Sequence, residues 1–359
     1  MKFGLFGGAT AQNKGENPRI TDSQNYRGFI DYVCEAEDLG FDSVFLVEHH
    51  FTGMDQVSAS INLLTYLAAK TRRIRLGTAV VVLPWHNPVL LAEQAATLDL
   101  LSGGRFDFGI GRGYRDYEFA GFCIPMEEAE ERYQECVAIL KKALGSKARF
   151  SHHGKRWNYD NIVVEPSCIQ MPHPPMWLGA HSQKSIEEAA RNGFSLLLDQ
   201  LTAAPEIGQR IGWYKAAVEA QGKTYDPYSV AVTRAFHLAN TPEEREACHK
   251  ARASFILGAQ QAAVASADKQ AKAAEAANKE EPARGARLPR TYEGVKAATE
   301  VHALIGTPDE IIQRIKHHRD NGVEYMLMMD VNWSREALRT FAREIMPEFK
   351  DPPRRAAAE

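Results

Sequence analysis

The sequence predicts an α/β fold, a (β/α)8 TIM barrel with insertions, on three observations. Short apolar, β-rich runs alternate with longer segments of helical periodicity; eight such runs fall within 359 residues; and polar or glycine-rich residues collect at the C-terminal end of one run after another. Repeated β-then-α units indicate a parallel sheet with helical crossovers, and eight of them over this length favour a closed barrel. An open doubly wound sheet is the alternative, because strand order is not written in a linear pattern.

The elements follow in order. Lys2–Phe6 reads as the first strand and Ser23–Leu39 as a helix ended by Gly40. Ser43–Val47 is strand two, Ser58–Lys70 a helix, and Ile74–Leu83 a long strand three. Pro88–Leu101 is helical and closes in the turn Ser102-Gly103-Gly104. Arg105–Ile110 is strand four, Glu127–Leu144 the next helix, and Phe150–Glu165 a hairpin excursion. Pro175–Leu178 is strand five, followed by a helix from about Ser185, where Ser185 and Glu188 form an S-x-x-E capping box. Ser195–Leu198 is strand six, Gly208–Ala220 a helix and Ser229–Ala235 strand seven. Glu324–Met328 is the last strand, backed by a helix over Ser334–Ile345. The whole reads as one barrel domain over residues 1–350, with a terminal tail at 351–359.

Residues 259–290 depart from this rhythm, being rich in Ala, Lys and Glu with few large apolar side chains. They read as a solvated helix and linker, or as a mobile lid between strands seven and eight.

The formal net charge of -3 gives no basic excess for nucleic acid or an anionic membrane. The five cysteines are an odd, scattered set without a C-x-x-C pair, which argues against a disulfide framework or a zinc knuckle. The opening MKFGLFGG is too short for a signal h-region, and no window approaches a membrane-spanning length. These features point to a soluble cytoplasmic protein.

Chemistry in a barrel sits at the C-terminal ends of the strands. Strand two there delivers Glu48, His49 and His50. Strand three delivers Trp85 and His86, strand four Gly109 to Tyr114, and strand five Gly179, Ala180, His181 and Ser182. Adjacent strand residues point to opposite faces, so Glu48 and His50 can share a direction that His49 does not. A histidine here suits general acid–base work; a metal site would need further ligands such as His86 or His181, and no H-x-x-x-H spacing supports it. GIGRGY fails the Rossmann spacing, so it reads as a tight turn or as close backbone approach to a flat or phosphorylated ligand, with Arg112 supplying charge. The helix start after Gly179 and Ala180, with Ser182 and Ser185, is an anion site in prospect, to which Arg132 could add charge. Cys123 and Cys136 read as buried packing residues.

Several stretches together resemble the bacterial luciferase-like family of flavin-dependent monooxygenases: MKFGLF, GFDSVFLVEHHFT, RLGTAVVVLPWHNPV, LAEQAATLDLLSGGRFDFGIGRG and PPMWLGAHSQKSIEEAARNGF, with GTPDEIIQRIKHHRDNGVEYMLM near the end. The resemblance implies a (β/α)8 barrel, usually a homodimer, that binds FMN at the strand ends. There FMNH2, taken from a separate NAD(P)H:flavin reductase, reacts with O2 through a C4a-peroxyflavin to oxygenate a small, largely apolar organic substrate. It places His49 as the catalytic histidine with Glu48 and His50 beside it. A non-proline cis peptide falls at Ala79–Val80, beneath the flavin. Arg112, Arg132, Ser182 and Ser185 match the phosphate-binding positions, with Gly179, Ala180 and His181 beside them and Gly111 and Tyr114 on the cofactor loop. Trp85, His86 and Gln200 are assigned by position to the substrate pocket. The segment 259–290 falls at the family's mobile loop. Gly111 stands where luciferase has a reactive cysteine, His181 replaces a glutamate and Gln200 an aromatic residue, which points away from light emission and an aldehyde substrate. A flavin- or deazaflavin-dependent oxidoreductase without oxygen insertion is the alternative, with a flavin-binding protein of little turnover or a metal hydrolase behind it.

Overall fold

The computed structural model describes residues 1–11, 23–53, 56–254, 256–258 and 291–350; the segment expected to act as a lid and the tail lie outside the described residues. Eight parallel strands close on themselves: β1 (Lys2–Gly7), β2 (Ser43–Leu46), β3 (Arg75–Thr78), β5 (Phe106–Gly111), β8 (Met176–Gly179), β9 (Ser195–Leu198), β10 (Val230–Leu238) and β12 (Tyr325–Met329). Closure is carried by β10, which pairs with β9 (Val230 opposite Leu196) and with β12 (Val232 opposite Met326), and by β12 pairing with β1 (Lys2 opposite Tyr325). The open-sheet alternative is thereby excluded. The helices are α1 (Ser23–Asp38), α2 (Ser60–Lys70), α3 (Pro88–Leu101), α4 (Asp116–Gly121), α5 (Ala129–Gly145), α6 (Gln183–Arg191), α7 (Ala204–Glu219), α8 (242–254), α9 (Tyr292–His302), α10 (Pro308–Asp320) and α11 (Arg335–Thr340). Among the described residues no helix is long and apolar enough to cross a membrane.

The period-two pattern of the strands sorts their side chains into two cores. Val44, Leu46, Leu76, Phe106, Phe108 and Ile110 join the large core that contains the helices. Phe45, Trp177, Leu197, Ala231, Tyr325 and Leu327 form a separate cluster inside the barrel. Toward the N-terminal ends of the strands the interior is sealed by polar pairs. Arg75 grips Asp107 through Nε–Oδ2 at 2.7 Å and Nη2–Oδ1 at 2.8 Å, and the Tyr325 hydroxyl donates to Ser43 Oγ. The bidentate geometry satisfies a carboxylate buried at Asp107. These groups fill the barrel interior toward its N-terminal end.

The expected strand over Ile74–Leu83 is broken. β3 stops at Thr78, the Ala79–Val80 peptide is cis, β4 (Val81–Val82) pairs with Ile110 and Gly111, and Leu83–Trp85 is a 3₁₀ turn. A run of uniformly apolar residues carries no mark of where pairing lapses. The hairpin excursion is present as β6 (Phe150–His153) against β7 (Asn158–Ile162), and β11 (Leu304–Gly306) extends the pairing of β10. α4, α8, α9 and α10 had no periodic signal read from the sequence. Cys136 is buried as expected, whereas Cys123 is exposed, in a left-handed conformation with φ 56 just beyond α4.

Close packing of β3 on β5 depends on Gly109: a Cβ there would stand 1.7 Å from the Thr78 carbonyl oxygen, and Thr78 Oγ1 also donates to the Gly109 carbonyl at 2.7 Å. Backbone cannot yield as a side chain can. Gly109→Ala is expected to destabilise the protein by at least about 2 kcal/mol through overpacking, read as a lower urea midpoint with unchanged slope.

Candidate active site

β2 ends at Leu46, and Val47 N–H still donates to Gly7 O at 2.8 Å, so the chain leaves the sheet in register and presents Glu48, His49 and His50 at the C-terminal face. The structure divides these three between two networks. Glu48 is 4% exposed, and its Oε1 accepts from Trp85 Nε1 at 2.8 Å and lies 3.1 Å from both His50 Nε2 and His86 Nε2. An ionised carboxylate only accepts, so both imidazoles present Nε2–H to it. Burial works to raise the Glu48 pKa, but the bonds from His50, His86 and Trp85 outweigh it and hold the carboxyl below its ordinary value. Trp85 in turn stacks on Phe122 at 5.1 Å and meets Phe119 edge-on.

His49 goes the other way. Its Nδ1 lies 3.3 Å from Glu118 Oε1, which also accepts the His50 backbone N–H at 3.0 Å, and its Nε2 lies 3.3 Å from Arg115 Nη2. A guanidinium has no acceptor, so Nε2 is the lone-pair nitrogen and the ring is neutral with its proton on Nδ1. Burial draws the His49 pKa down, Arg115 adds to that, and Glu118 opposes without overcoming it. Arg115 also donates to the Tyr117 hydroxyl at 2.7 Å. Burial would lower the guanidinium pKa, but Tyr114, Tyr117 and Glu118 keep it above the ordinary value. Arg115, Tyr117 and Glu118 were not singled out from the sequence. Their signal was the R-x-x-E spacing directly after GIGRGY, on a helix of six residues, too short to show a period.

Of the residues assigned to a cofactor, Gly111 lies tight against Val80: a Cβ at Gly111 would be 2.5 Å from Val80 Cγ2. Ala79 and Val80 are half-buried and pack on the inner barrel cluster. Arg112 is exposed and pairs with Glu130 at 3.3 Å; Gln134 Nε2 bonds both Glu130 and, on α6, Glu188. Arg132 pairs with Glu128 at 2.9 Å, which also holds Arg156. The capping box expected at Ser185 and Glu188 is corrected. Ser182, with extended backbone, is the N-cap of α6 and its Oγ accepts from Ser185 N–H, while Ser185 Oγ donates to the Ser182 carbonyl. The helix begins one turn earlier because Ser182 satisfies the first-turn donors. Arg112, α5 and the middle of α6 are linked through Glu130, Gln134 and Glu188. Apart from its chain neighbours, no atom lies within 4 Å of where a Cβ on Gly179 would stand, so there is open space at the end of β8. Two arginines, two hydroxyls and a helix N-terminus are the donor types that a phosphate monoester takes.

Ala180 is buried, and exposed His181 lies 3.3 Å from Asp199, which also binds Arg210 at 2.8 Å. Burial acts to raise the Asp199 pKa, but His181, Thr202 and the Leu201 N–H hold it far below the carboxylate range. Gln200 accepts from buried Arg252 on α8 at 2.8 Å, and Tyr114, 65% exposed, has the Arg115 guanidinium 5.6 Å from its ring. Among the described residues no group of three or more His, Cys, Asp or Glu side chains is arranged to hold a metal ion.

Glu48→Gln removes the charge on which three donors converge and is expected to cost about 1–3 kcal/mol at neutral pH. A carboxyl with a lowered folded pKa contributes stability in full above its ordinary value near 4.5 and loses it as pH falls through the folded value. The variant should accordingly lose less stability than the parent on acidification below that value, measured by urea midpoints across the range.

The luciferase-like monooxygenase family matches residues 1–325 of the chain. The oxygenase component of a flavin-dependent trigonelline monooxygenase from Acinetobacter baylyi is 26% identical over 354 residues, 93% of this chain and 93% of its own length. A Sinorhizobium fredii protein without assigned function is 31% identical over 219 residues, a match that spans 61% of this chain and 62% of that protein. The monooxygenase RslO1 from Streptomyces bottropensis shares the fold with a TM-score of 0.78 at 24% identity, over 98% of this chain and 100% of its own. A barrel whose strand ends assemble in this way, and whose sequence matches along nearly its whole length, belongs to the luciferase-like monooxygenase family.

Proposed function

We propose that the chain is the oxygenase of a two-component system, binding FMNH2 delivered by a separate NAD(P)H:flavin reductase and using O2 to oxygenate a small organic substrate. The observation that carries this reading is His49, a neutral imidazole with a fixed Nδ1–H tautomer at the end of β2, among residues suited to a flavin phosphate and ring. The relative from Acinetobacter baylyi, itself an oxygenase component, supports it over 93% of the chain.

Arg112, Arg132, Ser182, Ser185 and the N-terminal N–H groups of α6 would hold the phosphate, the arginines exchanging Glu130 and Glu128 for it. The backbone at Ala79, Val80 and Gly111 would support the isoalloxazine. Reduced flavin, when bound, supplies the electrons for oxygen activation. His49 holds or accepts a proton at Nε2, and Glu118 at Nδ1 fixes the ring and stabilises it when charged. Glu48 with Trp85, His50 and His86, backed by Phe119 and Phe122, forms a rigid wall that excludes water from the reaction. The homodimer in this reading would bury Tyr66 of α2 with Leu90, Leu100 and Leu101 of α3, which are exposed in the single chain.

Titration with FMN and photoreduced FMN, followed by rapid mixing with O2, tests the assignment. Arg132→Ala and Ser182→Ala should each weaken FMN binding about tenfold, roughly 1.4 kcal/mol. The parent should give a long-lived species whose absorbance matches neither oxidised nor reduced flavin. His49→Ala should keep flavin affinity within about threefold and lose that species. Prompt peroxide release by the parent would favour the oxidoreductase without oxygen insertion, and failure to bind either flavin form would remove the site assignment.

A further inference from the structure

Arg115 has an arrangement that the flavin reading does not call on. Its guanidinium is largely buried, yet its hydrogen bonds run to uncharged groups, the Tyr117 hydroxyl at 2.7 Å, His49 Nε2 at 3.3 Å and the Tyr114 side chain. The nearest carboxylate oxygen, Glu118 Oε1, is 3.9 Å away and is engaged more closely by His50 N–H at 3.0 Å and His49 Nδ1 at 3.3 Å. A buried arginine normally meets a carboxylate or phosphate through two parallel N–H bonds, because that pairing offsets the cost of removing the cation from water. Here that geometry is lacking. The same guanidinium occupies the one lone pair through which His49 could accept a proton, so the histidine cannot act as a base while Arg115 stays in place.

We propose that Arg115 is the receptor for the anionic group of an aromatic acid substrate, and that drawing Arg115 onto this group unlatches His49. The inference rests on the reading of His49 as the reacting base. A carboxylate would replace the weak bond to His49 by two charge-assisted bonds. The freed Nε2 is then open to accept a proton, the Nδ1–H stays on Glu118, and the imidazolium formed on protonation lies against that carboxylate. Substrate arrival and activation of the base become one event.

The aromatic part of the assignment comes from the rings around this cation. Tyr114 and Tyr117 place their rings 5.6 Å and 5.9 Å from the guanidinium, and Tyr114 is exposed. Phe51, also exposed, rests on Gly121 at the opposite end of α4, where a Cβ would be 2.2 Å from its ring. Six helical residues at 1.5 Å each separate the two ends by roughly 9 Å, a span that suits a one- or two-ring acid with its carboxylate at Arg115.

The test measures binding of benzoate, 4-hydroxybenzoate and nicotinate, each against its carboxamide, by calorimetry with and without FMN. The ring nitrogens of His49 are followed by NMR of protein labelled with 15N-histidine. At least one acid should bind the parent about tenfold more tightly than its amide and should shift the His49 Nε2 resonance, which the amide leaves in place. In Arg115→Gln the acid preference should fall to within about twofold and the shift should vanish; Arg115→Lys should keep part of the preference, and guards against a glutamine variant that fails to fold. Equal binding of acid and amide, binding of neither, or a preference that survives Arg115→Gln overturns the proposal. FMN affinity measured in the same samples separates the two readings. Normal FMN binding without acid preference sinks the receptor alone, whereas loss of FMN binding sinks the flavin site, and the flavin-free titrations still decide on the receptor.

Discussion

One carboxylate oxygen, Glu48 Oε1, ties together the parts of the C-terminal face that the barrel alone leaves apart. It receives the Trp85 indole and two imidazoles, and so joins the end of β2 to the 3₁₀ turn after β4. Trp85 then carries the link to Phe119 and Phe122 in and after α4. Three donors around one buried acceptor fix directions as well as distances, since each bond weakens steeply as it bends. Because His50 is held by Glu48, its backbone N–H points at Glu118, and because Glu118 is fixed there, His49 has a defined partner for Nδ1. The His49 imidazole is thus positioned by a carboxylate it does not touch.

This arrangement could be built only where the barrel leaves space. The polar plug of Arg75, Asp107, Ser43 and Tyr325 closes one end, and the Phe45–Trp177–Leu327 cluster fills the middle. Glycine at 109 and 111 lets β5 approach Thr78 and Val80 without side chains of its own. The result is a firm floor under the site and a set of loops above it that differ in chemistry from strand to strand, the division of labour on which barrel enzymes rest.

The parts legible in the sequence were those with a period or a strand-end signature. The eight strands, most of the helices and the location of Glu48, His49 and His50 follow from alternating apolar runs that stop at polar residues. The opposite directions of His49 and His50 match the strand alternation expected, although β2 ends at Leu46 and it is Glu118 and Glu48 that hold the two rings apart. What escaped was short or relational. Six residues of α4 make less than two turns, so no amphipathic stripe can announce them, and with α4 the pair Arg115 and Glu118 went unread. Trp85 and His86 were read as pocket walls from position, and their bonds to the Glu48 carboxylate are a meeting of distant segments that spacing cannot express. At α6 two serines three apart both suit a helix start; the choice of Ser182 depends on which one has extended backbone.

Closure of the sheet has a bearing on how the chain reaches this state. Lys2 lies opposite Tyr325, and the N-terminal ammonium donates to the Phe349 carbonyl, so the first strand finds its second neighbour only far along the chain. During synthesis β1 and β2 emerge early and carry the segment of Glu48 and His49 while one edge of the growing sheet stays unpaired. Such edges recruit other chains, and contacts this remote in sequence form late. Pairing of β12 with β1 and β10 is therefore the step that removes this edge, whereas the network around Glu48 and His49 joins segments much closer together in the chain.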